Sequence, residues 1–508
     1  YCLVHLGCQM NQSDAERIRA VIEDLGYERT EDEEQANLLG IVACSVRQKA
    51  IDKVYSKIEK WNQWKNHRNL LTFVSGCILP VDREKFLTRF DLLFQIEELP
   101  DLPGMIRQNG IVTQASLQQH EPPRQPASVR SESASPGAAG KLPVSPDPAV
   151  AQIVSIAALK PGAVRTDASP AQVVPVASLK ERRSGYWKIS PHYSSSFEAF
   201  VPIQNGCDKF CTFCAVPYTR GREVSRSSAE ILSEVEYLVS AGYRSITLLG
   251  QNVNSYGLDR GGSELSFAGL LEAIGKLGDR VSADGPARFW LYFTSPHPRD
   301  MTLEVLETIA QYRCLAKQIH LPIQSGDDKV LIRMNRNYRL DHYRSVVHNI
   351  RRILPSATLF TDIIVGFTGE TDEQFEATRR AMQEFRYNMA YIAMYSPRPG
   401  AASSRWDDDV PLEQKKQRLH ELSEELQSVS LDHNTGMIGS TCTVLVTGED
   451  RKSGYLSAKT EGLLTVRFAS GDSKLIGSFV EVRITSCAAL SLTGEFVQVA
   501  EPQLAEAL

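Results

Sequence analysis

Apolar and polar positions divide the chain into stretches of different period. Over residues 1–116, short apolar runs at 1–6, 38–43 and 70–75 predict strands, and residues 13–25 space their apolar side chains at helical intervals. Strands alternating with helices predict a parallel sheet covered by helices. The alternation resumes near residue 198, with strands expected at 199–204, 245–250, 288–294, 318–322, 359–365 and 389–395. Six strand–helix units make a partial barrel, short of the eight that close a full one, and the open side suits a macromolecular substrate. Ser227-x-x-Glu230 predicts a capping box on the first of these helices. Residues 410–434 read as one amphipathic helix, with Leu412, Leu419, Leu422, Leu426 and Val429 near a single face packed on the barrel. From 439 to 499, short β-rich runs broken by Gly448-Glu449-Asp450, Gly471-Asp472 and Gly494-Glu495 predict a small antiparallel barrel.

Residues 117–197 depart from both patterns, turning to Pro, Ala, Ser and Val with few aromatics before Tyr186. The part through 148 predicts a flexible linker. Two similar runs, 151–160 and 171–180, are too few for a solenoid and predict a small hairpin against a neighbouring domain. The chain is therefore an α/β protein of four segments: 1–116, the linker or insert 117–197, 198–437 and 438–503.

Composition changes this picture little. A length of 508 residues needs about three cores. Apolar residues at 42% and charged residues at 23% are ordinary for a globular chain. The net charge of −5 does not announce nucleic acid, but phosphates respond to local patches rather than to the sum. No apolar run is long enough to cross a bilayer, so no membrane is expected. The chain opens at Tyr1 without a methionine, so preceding residues are expected to be missing, and the visible start reads as a strand rather than a secretory signal. Clustered cysteines without such a signal point to a reducing cytoplasm.

The ten cysteines carry the chemistry. Cys207, Cys211 and Cys214 follow the first strand of the partial barrel, at the rim where such barrels keep their reactive groups. Their spacing lets one loop aim three thiolates at one centre, enough for three irons of a 4Fe–4S cube with the fourth iron open to a ligand. Structural zinc or a disulfide is the alternative; zinc would want a fourth ligand that does not follow nearby. Cys8, Cys44 and Cys77 each stand at the end of a predicted strand, on the sheet edge where ligands bind. A lone cysteine there is usually a buried small hydrophobe, but three at equivalent positions point to a second metal site with three ligands.

Cys207-x-x-x-Cys211-x-x-Cys214, with Pro217-Tyr218-Thr219-Arg220-Gly221-Arg222-Glu223 and Ser225-Arg226 behind it, resembles the radical S-adenosylmethionine (SAM) methylthiotransferases. Leu6-Gly7-Cys8-Gln9-Met10-Asn11, Cys44-Ser45-Val46-Arg47 and Ser75-Gly76-Cys77 resemble that family's N-terminal domain, with Ala43 standing where threonine is usual. The C-terminal segment resembles a TRAM domain, a tRNA-binding module. The resemblance covers the chain except its central insert. It implies a Rossmann-like parallel-sheet domain, a partial (β/α)6 radical SAM barrel and a TRAM barrel. It also implies two 4Fe–4S clusters, one on Cys207, Cys211 and Cys214 and an auxiliary one on Cys8, Cys44 and Cys77.

The implied chemistry uses two molecules of SAM. One methylates a sulfur held at the auxiliary cluster, and the other yields a 5′-deoxyadenosyl radical that takes hydrogen from the substrate carbon. Of three branches, one acts on isopentenyladenosine in tRNA, one on threonylcarbamoyladenosine in tRNA and one on an aspartate of a ribosomal protein. The runs Leu248-Leu-Gly-Gln251-Asn252-Val253-Asn254-Ser255-Tyr256 and Tyr395-Ser-Pro-Arg398-Pro-Gly400 resemble the first, with Ala401 where threonine is usual. The rival from another class is an RNA-binding protein with structural metal.

For SAM the candidates are Phe213 inside the loop, with shielding of the cluster as its alternative, Gly250 and Gln251 after the second strand, and Gln324, Ser325, Asp362 and Gly366 at rim positions. Leu249-Gly250-Gln251 stands where many radical SAM enzymes carry Gly-Gly-Glu, leaving the partner of the cofactor's amino group open. For RNA, Arg220, Arg222, Arg226 and Arg398 are candidates near the radical site, with salt bridges bracing the loop as the alternative. Arg451, Lys452, Lys459, Arg467, Lys474 and Arg483 are candidates on the small barrel, against a solvated charged face. Asn11 and Arg47 serve either the cluster or the RNA. Expected partners are a tRNA anticodon stem-loop and a reductant protein such as flavodoxin or ferredoxin, with the chain acting as a monomer.

Overall fold

A computed structural model describes residues 1–45, 48–109, 185–282 and 285–500. The repeated runs at 151–160 and 171–180, and Val46 and Arg47, lie outside the described residues.

The N-terminal sheet holds β1 (Cys2–Leu6), β2 (Leu38–Cys44), β3 (Leu71–Cys77) and β4 (Leu92–Leu93), all parallel and in sequential order. Alternate residues of β2 face opposite ways, as a pleated strand requires. Leu38 and Val42 join Ile18 and Ile22 of α1 (Gln9–Asp24), while Leu39, Ile41 and Ala43 join Val54, Ile58 and Trp61 of α2 (Gln48–Trp64). The sheet thus lies between two helical layers, completed by α3 (Pro80–Leu87) and α4 (Leu102–Gln108). Strand order never reverses, so the rim carrying Cys8, Cys44 and Cys77 is made by neighbouring strand ends rather than by a crevice.

All six strands expected in the second unit form. They are β5 (Glu198–Pro202), β8 (Ser245–Leu249), β9 (Trp290–Phe293), β10 (Gln318–His320), β11 (Thr358–Val365) and β12 (Met389–Met394). They make two parallel sheets, β5-β8-β9 and β10-β11-β12, joined by a parallel bridge at Leu291 and Leu315. A short ladder of β6 (Gln204–Asn205) and β7 (Val224–Ser225) brackets the cysteine loop, which contains α5 (Val216–Thr219). The helices α6 (Ser228–Ser240), α7 (Phe267–Ser282), α8 (Leu303–Gln311), α9 (Asp328–Arg333), α10 (Leu340–Ile353) and α11 (Asp372–Phe385) complete the units. Ile231, Ile274, Ile309 and Ile350 from these helices meet Val201, Ile246, Leu291, Ile319 and Ile363 from the strands in one core.

Two local expectations are corrected here. Ser227 precedes α6 but its hydroxyl caps nothing: Glu230 is drawn to Arg226, and Glu264 accepts from the Ser228 amide at 3.1 Å instead. The long helix α12 (Leu412–Thr435) buries Leu422, Leu426 and Val429 and half-buries Leu419, but Leu412 is 57% exposed. Its first two turns face Lys415 and Arg418 inward, where they pair with Asp408 and Glu370.

The C-terminal barrel closes in the order β13-β14-β15-β17-β16, from β13 (Thr441–Glu449), β14 (Tyr455–Thr460), β15 (Thr465–Ala469), β16 (Phe479–Ala488) and β17 (Ser491–Val499). It is antiparallel except between β15 and β17, which run parallel. Leu445 and Phe479 pack on Trp290 and Tyr292 of the partial barrel, and Glu461 accepts from the Lys317 amide at 3.0 Å.

Residues 185–197, assigned to the linker on composition, are structural. Tyr186 and Trp187 enter the core with α1 and α4, and Gly185 lies against Pro100. Among the described residues no helix is long and apolar enough to cross a membrane.

Candidate active site

The cysteine loop is held in shape by its backbone. Gly206 has φ of +78°, and a Cβ there would stand 2.1 Å from the Arg222 carbonyl, so only glycine fits. Phe210 also lies at positive φ, 48°, secured by Asn335, whose amide donates to the carbonyls of Lys209 (3.2 Å) and Phe210 (2.9 Å). The Thr212 amide donates to Met334 O at 3.0 Å and its hydroxyl to Arg333 O at 2.8 Å, tying the loop to the end of α9. The Arg336 guanidinium reaches the Cys211 sulfur at 3.4 Å, and the Val216 amide reaches that of Cys214 at 3.5 Å. Burial pushes the Cys207 thiol up to about 11 and the Cys214 thiol to about 12.

The second trio forms where β2 and β3 end. Cys44 and Cys77 are register partners, and Cys8 caps α1. Asn11, fully buried, donates to Ala43 O at 3.1 Å and points the same amide at the Cys77 sulfur, 3.9 Å away. Asn11 therefore faces the cysteines rather than any RNA. Contact with Cys44 and burial raise the Cys77 thiol well above its usual range, while Arg220 opposes the rise. Cys2 and Cys314, by contrast, sit in the apolar cores as small hydrophobes. No disulfide joins any of the ten cysteines among the described residues.

A third cluster lies beside Cys207, in the barrel mouth. Gln204 and Asn252 donate to the Ser255 hydroxyl at 3.2 and 2.7 Å, and that hydroxyl donates to Glu223 at 2.6 Å. Gln204 Oε1 and Asn252 Oδ1 are buried acceptors with no hydrogen-bond partner among the described residues. Glu223 bears on Cys207 electrostatically, and its own carboxyl is raised to about 7 by burial.

Of the residues marked for SAM, Phe213 packs with Val330, Met334, Phe367 and Tyr395. Gly250 underlies Gln204, whose Oε1 is 3.1 Å from where a Cβ would be, and Gln251 is half-buried beside it. Gln324 has φ of +69° and bonds along β11 through Asp362 O (2.8 Å) and the Ile364 amide (3.0 Å). Asp362 faces His320 at 3.2 Å. Ser325 turns inward to Thr378 and Gly366 is packed under Lys415, so both brace the rim from behind.

Two of the arginines marked for RNA are corrected. Arg220 is buried on Asp14, Asn205 and Cys77, and Arg226 on Glu234, Glu230 and the Trp187 ring; burial removes both from phosphates, and the salt-bridge alternative applies. Arg222 stays 71% exposed, paired with Asp208 and lying over the Phe210 ring. Arg398 is half-buried beyond β12. On the small barrel Arg451, Lys452, Lys474 and Arg483 are exposed, while Lys459 turns toward Glu198 and Arg467 toward Asp450. The sequence reading missed Asp14, Asn205, Gln204 and Arg336. For Arg336 a signal existed in its flanking asparagines, 335 and 337, both at positive φ.

Residues 201–382 match the Radical SAM superfamily, residues 1–95 the Uncharacterized protein family UPF0004 and residues 436–497 the TRAM domain. A cysteine loop on the rim of a partial parallel barrel, inside that match, is the arrangement of a radical SAM enzyme. A tRNA-2-methylthio-N(6)-dimethylallyladenosine synthase of Geobacter metallireducens is 35% identical over 492 residues, 96% of this chain and 96% of the relative. One of Dictyoglomus thermophilum is 32% identical over 503 residues, 98% of each. The chain belongs to this family of tRNA-2-methylthio-N(6)-dimethylallyladenosine synthases. Among solved structures, TsrM from Kitasatospora setae, a radical S-adenosylmethionine methyltransferase, is 14% identical at a TM-score of 0.46, covering 79% of this chain and 75% of that one.

The family implies 4Fe–4S clusters and SAM. The donor sets fit them. Among the described residues no group of three metal-binding side chains is drawn together as around a single ion. A cube spreads its thiolates over separate irons and needs no such convergence. Buried thiols with raised pKa values become thiolates only beside strong positive charge, which iron provides. The unpartnered acceptors of Gln204 and Asn252, with Glu223, suit a buried ammonium, which the methionine part of SAM carries.

Proposed function

We propose that this chain methylthiolates N6-isopentenyladenosine next to the anticodon of tRNA, giving 2-methylthio-N6-isopentenyladenosine. The observation that carries the reading is the pairing of two three-cysteine rims, one on the N-terminal sheet and one after β5 of the partial barrel, joined through Arg220. Cys207, Cys211 and Cys214 would hold the cluster that binds SAM, and Cys8, Cys44 and Cys77 the auxiliary cluster. When bound, these groups supply the electron that splits SAM, the hydrogen-abstracting radical and the sulfur to be inserted.

The chain's own part is placement. Gln204, Asn252 and Glu223 orient the SAM amino group, in place of the Gly-Gly-Glu that Leu249-Gly250-Gln251 lacks. Arg336 and the Val216 amide hold thiolate sulfurs by hydrogen bonds, and the apolar cluster around Phe213 keeps water from the loop. Arg222 and Arg398 near the mouth, with Arg451 and Lys452 on the TRAM barrel, take RNA phosphates, and exposed Phe210 and Tyr218 offer rings to unstacked bases. Electrons come from a flavodoxin- or ferredoxin-like protein, and the setting is the cytoplasm.

The test is anaerobic reconstitution followed by reaction with an isopentenylated anticodon stem-loop, SAM and reductant, read as methylthio product by mass spectrometry. Iron is counted alongside. The intact chain is expected to hold about eight irons, and Cys8→Ala/Cys44→Ala/Cys77→Ala and Cys207→Ala/Cys211→Ala/Cys214→Ala about four each. Product without the first trio, or full iron in either triple variant, would defeat the reading.

A further inference from the structure

We propose that Arg220 is a positioning residue for the Cys8, Cys44 and Cys77 site, fixing the sulfur of Cys77 and tuning the reduction potential of the cluster assigned there. The inference rests on the two-cluster reading above.

Arg220 belongs to the radical-site loop, yet its guanidinium points out of that loop into the N-terminal unit. Its side chain is 3% exposed, and all three nitrogens are engaged. Nε donates to Cys77 Sγ at 2.8 Å, Nη1 to Asn205 Oδ1 at 3.1 Å and Nη2 to Asp14 Oδ2 at 2.5 Å. Each partner is itself anchored. Asp14, fully buried on α1, accepts from the Tyr186 hydroxyl at 2.9 Å, and Asn205 donates to Glu97 at 2.7 Å. The fork therefore cannot swing without breaking contacts to three separate parts of the chain.

A guanidinium held this way does two things to a ligating sulfur. It aims one N–H at a fixed lone pair, which orients the thiolate. It also withdraws charge from the sulfur, and hydrogen bonds to cluster sulfurs make the reduced state easier to reach. Asp14 offsets the charge of Arg220, so removing either member moves the potential in opposite directions. An ion pair that merely stapled the two units together would leave the potential alone.

The full chain carrying Cys207→Ala/Cys211→Ala/Cys214→Ala isolates the auxiliary cluster for redox titration followed by electron paramagnetic resonance. Added to that parent, Arg220→Gln is expected to move the midpoint to a more negative value, and Arg220→Lys to recover part of the shift. Asp14→Asn, which keeps the guanidinium but removes its counter-charge, is expected to move it the other way, and it decides the matter if Arg220→Gln fails to load iron. Midpoints unchanged in iron-loaded variants would overturn the proposal. A parent with no iron would instead overturn the two-cluster reading, so the two failures are distinct.

Discussion

Burial changes what a single carboxyl does to the stability of this enzyme. Glu223 is 9% exposed, and burial lifts its pKa from the ordinary 4.5 to about 7. Between those values the folded chain binds more protons at this site than the unfolded chain. Stability therefore falls as pH rises through the window and levels off above it. Glu223→Gln removes the term, so the difference in thermal midpoint, variant minus wild type, is expected to grow from pH 5 to pH 7.5. A difference that stays flat across this range would mean that Glu223 is ionised in the fold throughout. The residue scale is also where the sequence was least legible. Arg220, Arg222 and Arg226 stand in one short run and look alike in a sequence, yet Arg222 faces solvent, Arg226 is buried on carboxylates of the helix that follows it, and Arg220 is buried on one supplied from afar. The rim positions of six cysteines were legible because spacing and strand ends are local properties. Asp14, 206 residues from its arginine, is not.

At the scale of elements, strands announced themselves and their terminal decorations did not. The apolar runs that became β2, β3, β8 and β11 are buried along nearly their whole length, so continuous hydrophobicity marked them. The capping box at Ser227 failed because a stronger partner, the Arg226 guanidinium, competes for Glu230. The segment after the insert went unread for a different reason: its few aromatics follow a long stretch of small residues that dominates any compositional window. Yet Tyr186 is 2% exposed and donates to the carboxylate that anchors Arg220. Tyr186→Phe keeps the ring and removes that bond, and is expected to cost about 1.5–3 kcal/mol in denaturant unfolding, the range for hydrogen bonds to charged groups. A loss below about 0.5 kcal/mol would mean that Asp14 is held by Arg220 alone.

For the whole molecule, the small barrel is joined to the partial barrel by an apolar seam as well as by the chain. Phe479 meets Trp290 edge-on with ring centroids 4.6 Å apart, and Thr358 donates to Gly462 O at 2.8 Å. Phe479→Ala is expected to destabilise by about 3–5 kcal/mol, as other buried aromatic truncations do, with the loss appearing in the melting of both units rather than of the small barrel alone. Two separate transitions, only one of them shifted, would show that the seam does not couple them. Fold class was legible at this scale because α/β alternation and the β-rich tail differ in period; the seam was not, because its partners lie far apart in sequence. The placement of Gly185 against Pro100, with Tyr186 beside Ile106 of α4, has a further consequence. Residues on either side of 110–184 therefore meet in one and the same core, and both flanks are held by the N-terminal unit. With both flanks fixed in one core, the spacing of the two cysteine rims is set by contacts among the described residues, so a protein engineer seeking a place for a fused reporter would try between Asn109 and Gly185 first.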